Sequence, residues 1–528
     1  MSKVDAGEQH RAEFLRLAGA AYDQMLKEDQ EGLVTFTQLE DRALEVGQKL
    51  EAWLLKQSLR QKAQAGGVGA TPRCPKCGKV LLEASSESGE REVQTRAGPV
   101  VFQRLQYSCP SCRKVFSPLD AALGLSGEGY SPALLQKVVS QGGRYAFGEA
   151  AHNLRELAGV AISGQHVLRL TERLGKEWVA RRDQELADFE QGRLPRLYAA
   201  RPAAAVVMLD GGRVQTRAEP SPPGVREPAW QEPKYGCLLT IEHREHSEDP
   251  QPDPPAKFLD RTEVPRLVQQ LQRVRAAAQA RSADGQVKAR GAHAGAERRK
   301  RRKRWLVRTV VATMAGVKEF GQQLALEVYK RGLDLARRKG CLADGQASNW
   351  TVFEEHLRRR GFIAILDFLH LLTYLYAAAQ AVGGTAAQRW QRYKQWLTWA
   401  WRGVRDKLLV ALQKAGARLG EAPPQAAETD ARRIVAKAAQ YVLNNIEKMD
   451  YPRYRKMGLP ISSAPVESLI KQFNKRIKGS EKFWRRSALE AVLQVRAAQL
   501  SQDGREERLW AMPRPLRAPH RKILERAA

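Results

Sequence analysis

Three acids stand where solvation alone explains them poorly. Asp210 closes the apolar run AAAVVMLD and is followed by two glycines. Asp344 closes a second apolar run, in CLADGQASNW, and again a glycine follows. Glu467 lies in APVESLIKQFNKRIKG, near the start of a helix that Pro465 suits, with Lys471, Lys475, Arg476 and Lys478 behind it. Carboxylates about 4 Å apart repel one another, and a divalent cation between them reverses the sign. Magnesium and manganese prefer such oxygen ligands. Two ions held by three carboxylates beside cationic side chains match in-line attack on a phosphodiester: one activates water or a 3′-hydroxyl, the other stabilises the leaving oxygen. Taken singly, an Asp at a strand end is a turn former, so the set carries the chemistry and no member does.

Four of the six cysteines carry a second chemistry. CPKCG supplies Cys74 and Cys77, and CPSCR supplies Cys109 and Cys112. Each pair has a proline after its first cysteine, which suits a knuckle aiming two thiolates at one ion. The intervening REVQTRAGPVVFQRLQYSC reads as two short strands with a turn at Ala97-Gly98-Pro99. Two knuckles joined by a hairpin describe a zinc ribbon with four-thiolate structural zinc. The spacing between the pairs exceeds the usual roughly 15–20 residues, which a long hairpin tolerates. Cys237 and Cys341 lie within strands and read as small core residues.

The elements that position these groups follow from periodicity. Residues 9–64 read as helices, and AGGVGATP breaks the pattern as a linker. FGEAAHNLRELAGVAISGQHVLRLTERLG splits into helix, turn and helix. Ala150, Ala151, Leu154 and Leu157 form one face, and Ser163 serves as an N-cap. The spacing fits a DNA-reading helix-turn-helix whose second helix presents Gln165, His166, Arg169 and Arg173 outward; an ordinary helical hairpin is the alternative. From residue 203 strands and helices alternate as three strands, helix, strand, helix, strand, which predicts a mixed α/β sheet with helices on its faces. Two inserts interrupt it: a Pro-rich, irregular stretch at 218–257, and residues 281–304. The second ends in the seven-cation run RRKRRKR, in which Arg299, Lys300, Arg301 and Arg302 would face phosphates. Residues 385–450 read as helical. In KFWRR, Trp484 either stacks on an extruded base or packs a helix, beside Arg485 and Arg486.

Composition agrees with a polyanionic partner. The 528 residues carry a formal net charge of +30, with 43% hydrophobic residues, ample for packed cores. No apolar stretch reaches the roughly 18 residues that span a bilayer, and the N-terminal residues lack a signal-peptide core. The expectation is a soluble, cytoplasmic protein that binds nucleic acid and no membrane.

Together, VVMLDGG, LADGQASNW, ILDFLH and APVESLIKQFNKRIKG resemble the DDE transposases of bacterial insertion sequences. The resemblance is to the Kra-type group, which is similar to Mutator-like transposases, and it covers about 70–510, including the paired Cys-x-x-Cys module and the helix-turn-helix. It implies an RNase-H-like core with Asp210, Asp344 and Glu467 as the first, second and third catalytic acids. DFLH looks like the Asp-x-x-His signature of related transposases, which implies that Asp367 and His370 lie near the site; capping of the following helix explains Asp367 without chemistry. The expected organisation is an N-terminal helical region (1–66), zinc ribbon (67–122), helix-turn-helix domain (123–195), catalytic core (200–384), helical insertion (385–455), the core's C-terminal helix (456–500) and a basic tail (501–528). The expected activity is binding of terminal inverted repeats in double-stranded DNA, then magnesium- or manganese-dependent cleavage and strand transfer, by a homodimer or higher synaptic complex. The alternatives are a non-catalytic DNA-binding regulator derived from a transposase and an RNase-H-type nuclease.

Overall fold

The computed structural model describes residues 3–30, 35–64, 72–82, 89–125, 129–197, 201–217, 229–279, 305–479 and 481–512. The RRKRRKR run, with Arg299, Lys300, Arg301 and Arg302, lies outside the described residues, as do positions 218–228 of the first insert and most of the basic tail. The chain divides into two compact units, Met1–Leu170 with Arg508–Ala528, and Thr171–Glu507.

In the first unit, helices α1 (Lys3–Gln30) and α2 (Phe36–Gln64) precede the antiparallel hairpin of β1 (Gly89–Thr95) and β2 (Gly98–Arg104). The hairpin alternates buried and exposed residues, and Val93, Val100 and Phe102 pack with Leu59 of α2 and Leu119. Its turn falls at Arg96-Ala97, one residue before the expected position, with Pro99 already in β2. A short ladder follows, β3 (Tyr107–Ser108) with β4 (Val115–Phe116), and then α3 (Pro118–Ala122), α4 (Pro132–Arg144) and α5 (Phe147–Ala158). Gly159 ends α5 with φ +61, the left-handed C-cap conformation that glycine adopts without strain. The long helix α6 (Gly164–Glu190) opens where Ser163 Oγ accepts the His166 amide, so Ser163 caps it as its residue type predicts.

The second unit is mixed α/β, as expected. Its sheet comprises β5 (Ala204–Gly211), β8 (Lys234–Ile241), β9 (Trp305–Thr313), β10 (Arg338–Ala343) and β11 (Ile363–Leu366), in the order β11-β10-β5-β8-β9. β11, β10 and β5 run parallel, while β8 and β9 pair antiparallel. The first six residues of β5 are all buried, which is the signature of a central strand covered on both faces. Cys237 and Cys341 are fully buried in this sheet, as core residues should be. A small ladder, β6 (Val214–Thr216) with β7 (Ala229–Gln231), lies between β5 and β8 in the chain. Helix α7 (Glu263–Gln279), which the periodicity reading passed over, precedes β9; α8 (Val317–Lys330) and α9 (Ala347–Val352) link the later strands.

Helix α10 (Phe368–Ala381) follows β11, and residues 385–455 are helical as expected, forming α11 (Ala386–Trp401), α12 (Arg405–Leu419), α13 (Ala431–Asn445) and α14 (Tyr451–Lys456). These helices hold the SEDPQPDPPA part of the first insert in place: Trp401 Nε1 donates to the Gln251 carbonyl (2.8 Å), and Arg455 Nε to Asp249 (2.8 Å). Residues 242–255 carry no strand or helix, as expected, but β7 and β8 both fall inside 218–257, which corrects the reading of that whole insert as irregular. The chain returns to the sheet through α15 (Ala464–Ile477) and α16 (Arg486–Leu500), and the last described helix is α17 (Arg505–Ala511). No described helix is long and apolar enough to cross a membrane.

Candidate functional site

Parallel pairing brings the aspartates to one edge. The β5–β10 ladder runs to Met208↔Leu342, and Asp210 and Asp344 each stand two residues beyond that pair. The β10–β11 ladder runs to Ala343↔Leu366, and Asp344 and Asp367 each stand one residue beyond it. Neighbouring strands are about 4.8 Å apart, so Asp210, Asp344 and Asp367 form a row across three strand ends. The glycines after Asp210 leave room for it to turn: a Cβ on Gly212 would lie 2.8 Å from the Tyr235 ring.

The row is electrostatically stressed. Burial, then the charge of Asp344, pushes the Asp210 carboxyl up to about 7, and Glu467 adds to the repulsion. His370 and the Gly211 amide, which donates to Asp210 Oδ1 (2.7 Å), act the other way without cancelling it. Asp344 Oδ1 accepts from the Gln346 amide and Asn349 Nδ2, both at 3.1 Å. Its carbonyl accepts from the Tyr441 hydroxyl of α13 (2.8 Å). Gly345 follows with φ +93, and a Cβ there would sit 2.6 Å from the Tyr441 ring.

Glu467 is carried by the first turn of α15, with Pro465 at its start. Val466, Leu469, Ile470, Phe473 and Ile477 bury the inner face of that helix, and Phe473 meets the buried Tyr235 ring at 4.9 Å between centroids. Glu467 comes within 4.8 Å, ligand atom to ligand atom, of both Asp367 and His370. This is the tightest grouping of possible ligands here; Asp210 and Asp344 stand outside it but act on it through charge.

Asp367 is fully buried and its oxygens are already engaged. Oδ1 accepts the amides of Leu369 (2.6 Å) and His370 (3.3 Å), capping α10, and Oδ2 accepts the amide (2.8 Å) and hydroxyl of Ser463. Burial works against its ionisation, but the bonds from His370 and Ser463 outweigh it and hold the carboxyl below its ordinary range. Asp367 Oδ2 lies 3.5 Å from His370 Nδ1, which orients the imidazole with Nε2 on the far side. Asp367 is thus a pin joining α10, His370 and the start of the Glu467 helix. Among the described residues, the acid-site ligand atoms close enough together to hold a metal ion are those of Asp367, His370 and Glu467, and the predicted pair Asp210 and Asp344 is not part of that group.

Four thiols gather in the first unit. Cys74 and Cys112 Sγ are 3.5 Å apart, as are Cys77 and Cys109 Sγ. Four sulfurs about 2.3 Å from one tetrahedral ion stand about 3.8 Å apart, so the cluster could hold zinc with little movement. The two knuckles match: Cys74 N donates to Lys79 O and Gly78 N to Cys74 O, while Cys109 N donates to Lys114 O and Arg113 N to Cys109 O. Gly78 and Arg113 both take positive φ (73° and 55°) at equivalent positions. Burial raises the Cys74 thiol, but the amides of Cys77 and Lys76 outweigh it and bring it to about 6.

The expected DNA-facing residues divide. Gln165 and Arg169 are exposed on α6, as expected. His166 is half-buried with its ring edge-on to Tyr130 (5.4 Å), and Arg173 is half-buried too, so these two do not project outward. Leu157, expected in the core, is 82% exposed. Lys471, Lys475, Arg485 and Arg486 are exposed and Lys478 is half-buried. Trp484 is buried with Nε1 donating to the Ile477 carbonyl (2.8 Å), so it packs a helix end and is not poised to stack on a base. Ser463, Asn349, Tyr235 and Tyr441 were not singled out by the sequence reading; Ser463, just before the APVE turn, is of a type that often precedes a helix, while the others give no local sign.

No known protein family matches the chain, and no curated protein matches it either.

Proposed function

We propose that the chain is a DNA transposase of the DDE type, with an RNase-H-like core in its second unit, a zinc ribbon in its first and a helix-turn-helix over 123–195. The observation that carries this reading is the placing of Asp210 and Asp344 at the ends of adjacent parallel strands, where burial first and the Asp344 charge second raise the Asp210 carboxyl to about 7. Such a pair is unfavourable as a purely structural feature and fits a cation-binding role. The sheet, with three parallel strands ending in aspartates and two antiparallel strands beyond, suits an RNase-H-like core. Magnesium or manganese bound by Asp210, Asp344 and Glu467 would supply an activated oxygen nucleophile and charge stabilisation at phosphorus. Supporting this reading, Asp367 ties the His370 amide and the start of the Glu467 helix together, and the Tyr441 hydroxyl holds the Asp344 carbonyl. The exposed cations Lys471 and Lys475 on α15, with Arg485 beyond it, suit contact with a DNA backbone, whereas the Arg486 guanidinium donates to the Met314 carbonyl and Gln231 Oε1.

The test is magnesium-dependent nicking and joining of DNA carrying the inverted repeats that would flank the coding region. Asp210→Asn, Asp344→Asn and Glu467→Gln should each abolish both steps while DNA binding persists. Full activity in any one variant removes that acid from the mechanism. Preferential cleavage of RNA–DNA hybrids over repeat ends would identify a nuclease instead.

A further inference from the structure

Helix α1 carries apolar residues on two sides, yet none of its residues 8–27 is buried. One side meets α2: the Phe14 ring lies 5.5 Å from that of Trp53, and Leu17, Ala21 and Met25 line a groove with Val46. The other side is formed by Ala12, Leu15, Gly19, Tyr22 and Leu26, all exposed, with Leu15 59%, Tyr22 57% and Leu26 40% accessible. At 3.6 residues per turn the two stripes stand about 135° apart, as on a helix covered from both sides. The outer stripe advances by three and four residues alternately. That is the seam of a coiled coil, with Ala12, Gly19 and Leu26 at a and Leu15 and Tyr22 at d. Glycine weakens a helix interior, and a Cβ at Gly19 would meet nothing within 4 Å. Packing among the described residues of this chain therefore does not require a glycine there.

Charge selects the partner. Helices α1 and α2 carry ten acidic and nine basic residues in a chain of net charge +30, so this hairpin stands apart from the cationic character of the rest. Arg16 and Asp23 are exposed, and both occupy e positions beside the seam. Antiparallel pairing of two copies sets e against e, so Arg16 of each copy faces Asp23 of the other. The same register sets Leu15 against Leu26, and the Tyr22 ring against Gly19, where the missing Cβ makes room. Parallel pairing sets e against g, and Arg16 then meets Arg11, a like-charge contact. We propose that α1 pairs antiparallel with α1 of a second copy of this chain, the outer stripe forming a two-fold, self-complementary interface. The pairing does not depend on the proposed phosphodiester chemistry.

The test uses the full chain without DNA. Sedimentation equilibrium across about 0.1–50 μM should show a reversible monomer–dimer equilibrium. Leu15→Glu and Leu26→Glu should each raise the dimer dissociation constant about 100-fold or more, with helical content by circular dichroism unchanged. Arg16→Asp and Asp23→Arg change only exposed side chains; each should weaken the dimer about tenfold by facing like charges, and the double variant should restore it. A wild-type chain that stays monomeric overturns the pairing and leaves the stripe to a different protein. Dimers that Leu15→Glu leaves intact place the interface elsewhere and overturn it too. A tighter dimer in Arg16→Asp means parallel alignment and overturns the register.

Discussion

The Tyr441 hydroxyl donates to the carbonyl oxygen of Asp344 across 2.8 Å, although the two residues are 97 positions apart in the chain. Tyr441 also stacks on Tyr374 of α10, with ring centroids 4.0 Å apart and planes within 12°. The helical insertion is therefore part of the framework of the acid site and not an appendage to it. Trp350 Nε1, donating to Asn445 Oδ1 at 2.8 Å, ties the helix after Asp344 to the same α13.

Loosening that grip should loosen the acid. Tyr441→Phe keeps the ring stack and removes one hydrogen bond, which should destabilise the chain by about 1 kcal/mol in urea denaturation. Because the backbone of Asp344 loses its anchor, magnesium-dependent nicking should fall roughly tenfold, as for other residues that orient ligands. Gly345→Ala should be worse on both counts, since φ +93 and the Tyr441 ring both exclude a Cβ.

The raised Asp210 carboxyl makes stability depend on pH. Its ordinary value is 3.8 and its folded value about 7, so the folded chain holds this proton more tightly than the unfolded chain. Metal-free stability from this group is greatest below about pH 4 and is lost as pH rises to about 7. Melting curves in chelator at pH 5 and pH 8 should show that fall, and Asp210→Asn should flatten it. Magnesium or manganese should raise the melting temperature more at pH 8 than at pH 5, because the cation competes with the proton.

Asp367 should matter for architecture before chemistry. Asp367→Ala strands the Ser463 amide and two α10 amides, and a loss of about 3 kcal/mol or more is expected in equilibrium unfolding. Ser463→Ala, which removes only the hydroxyl, should cost about 1 kcal/mol and retain most activity. If Asp367→Ala left stability unchanged, its role as a pin between α10 and α15 would be wrong.

The thiol cluster should retain one zinc ion per chain through purification, measured by elemental analysis. Cys109→Ser should remove it and open residues 72–125 to proteolysis. The small core there, Cys74, Leu81, Cys109 and Phe116, is too slight to hold the knuckles without the ion.

Much of this was legible in local pattern. Seven consecutive apolar residues closed by Asp210, the repeated knuckle around Cys74 and Cys109, and the Pro465 start of the Glu467 helix each declare themselves within a few residues, because hydrophobic periodicity, thiol spacing and helix-start preferences act over short distances. The sequence by itself determined the five strands of the main sheet and the helices α8 to α10, though not α7 or the small β6–β7 ladder, and which residues have metal-ligand chemistry. Only the tertiary structure decided that β5, β10 and β11 lie side by side and parallel, that Asp367 spends its oxygens on Ser463 and α10, that Tyr441 reaches Asp344, and that Trp484 is buried. Register, burial and side-chain partners depend on segments far apart in the chain, and their energies arise only when those segments meet.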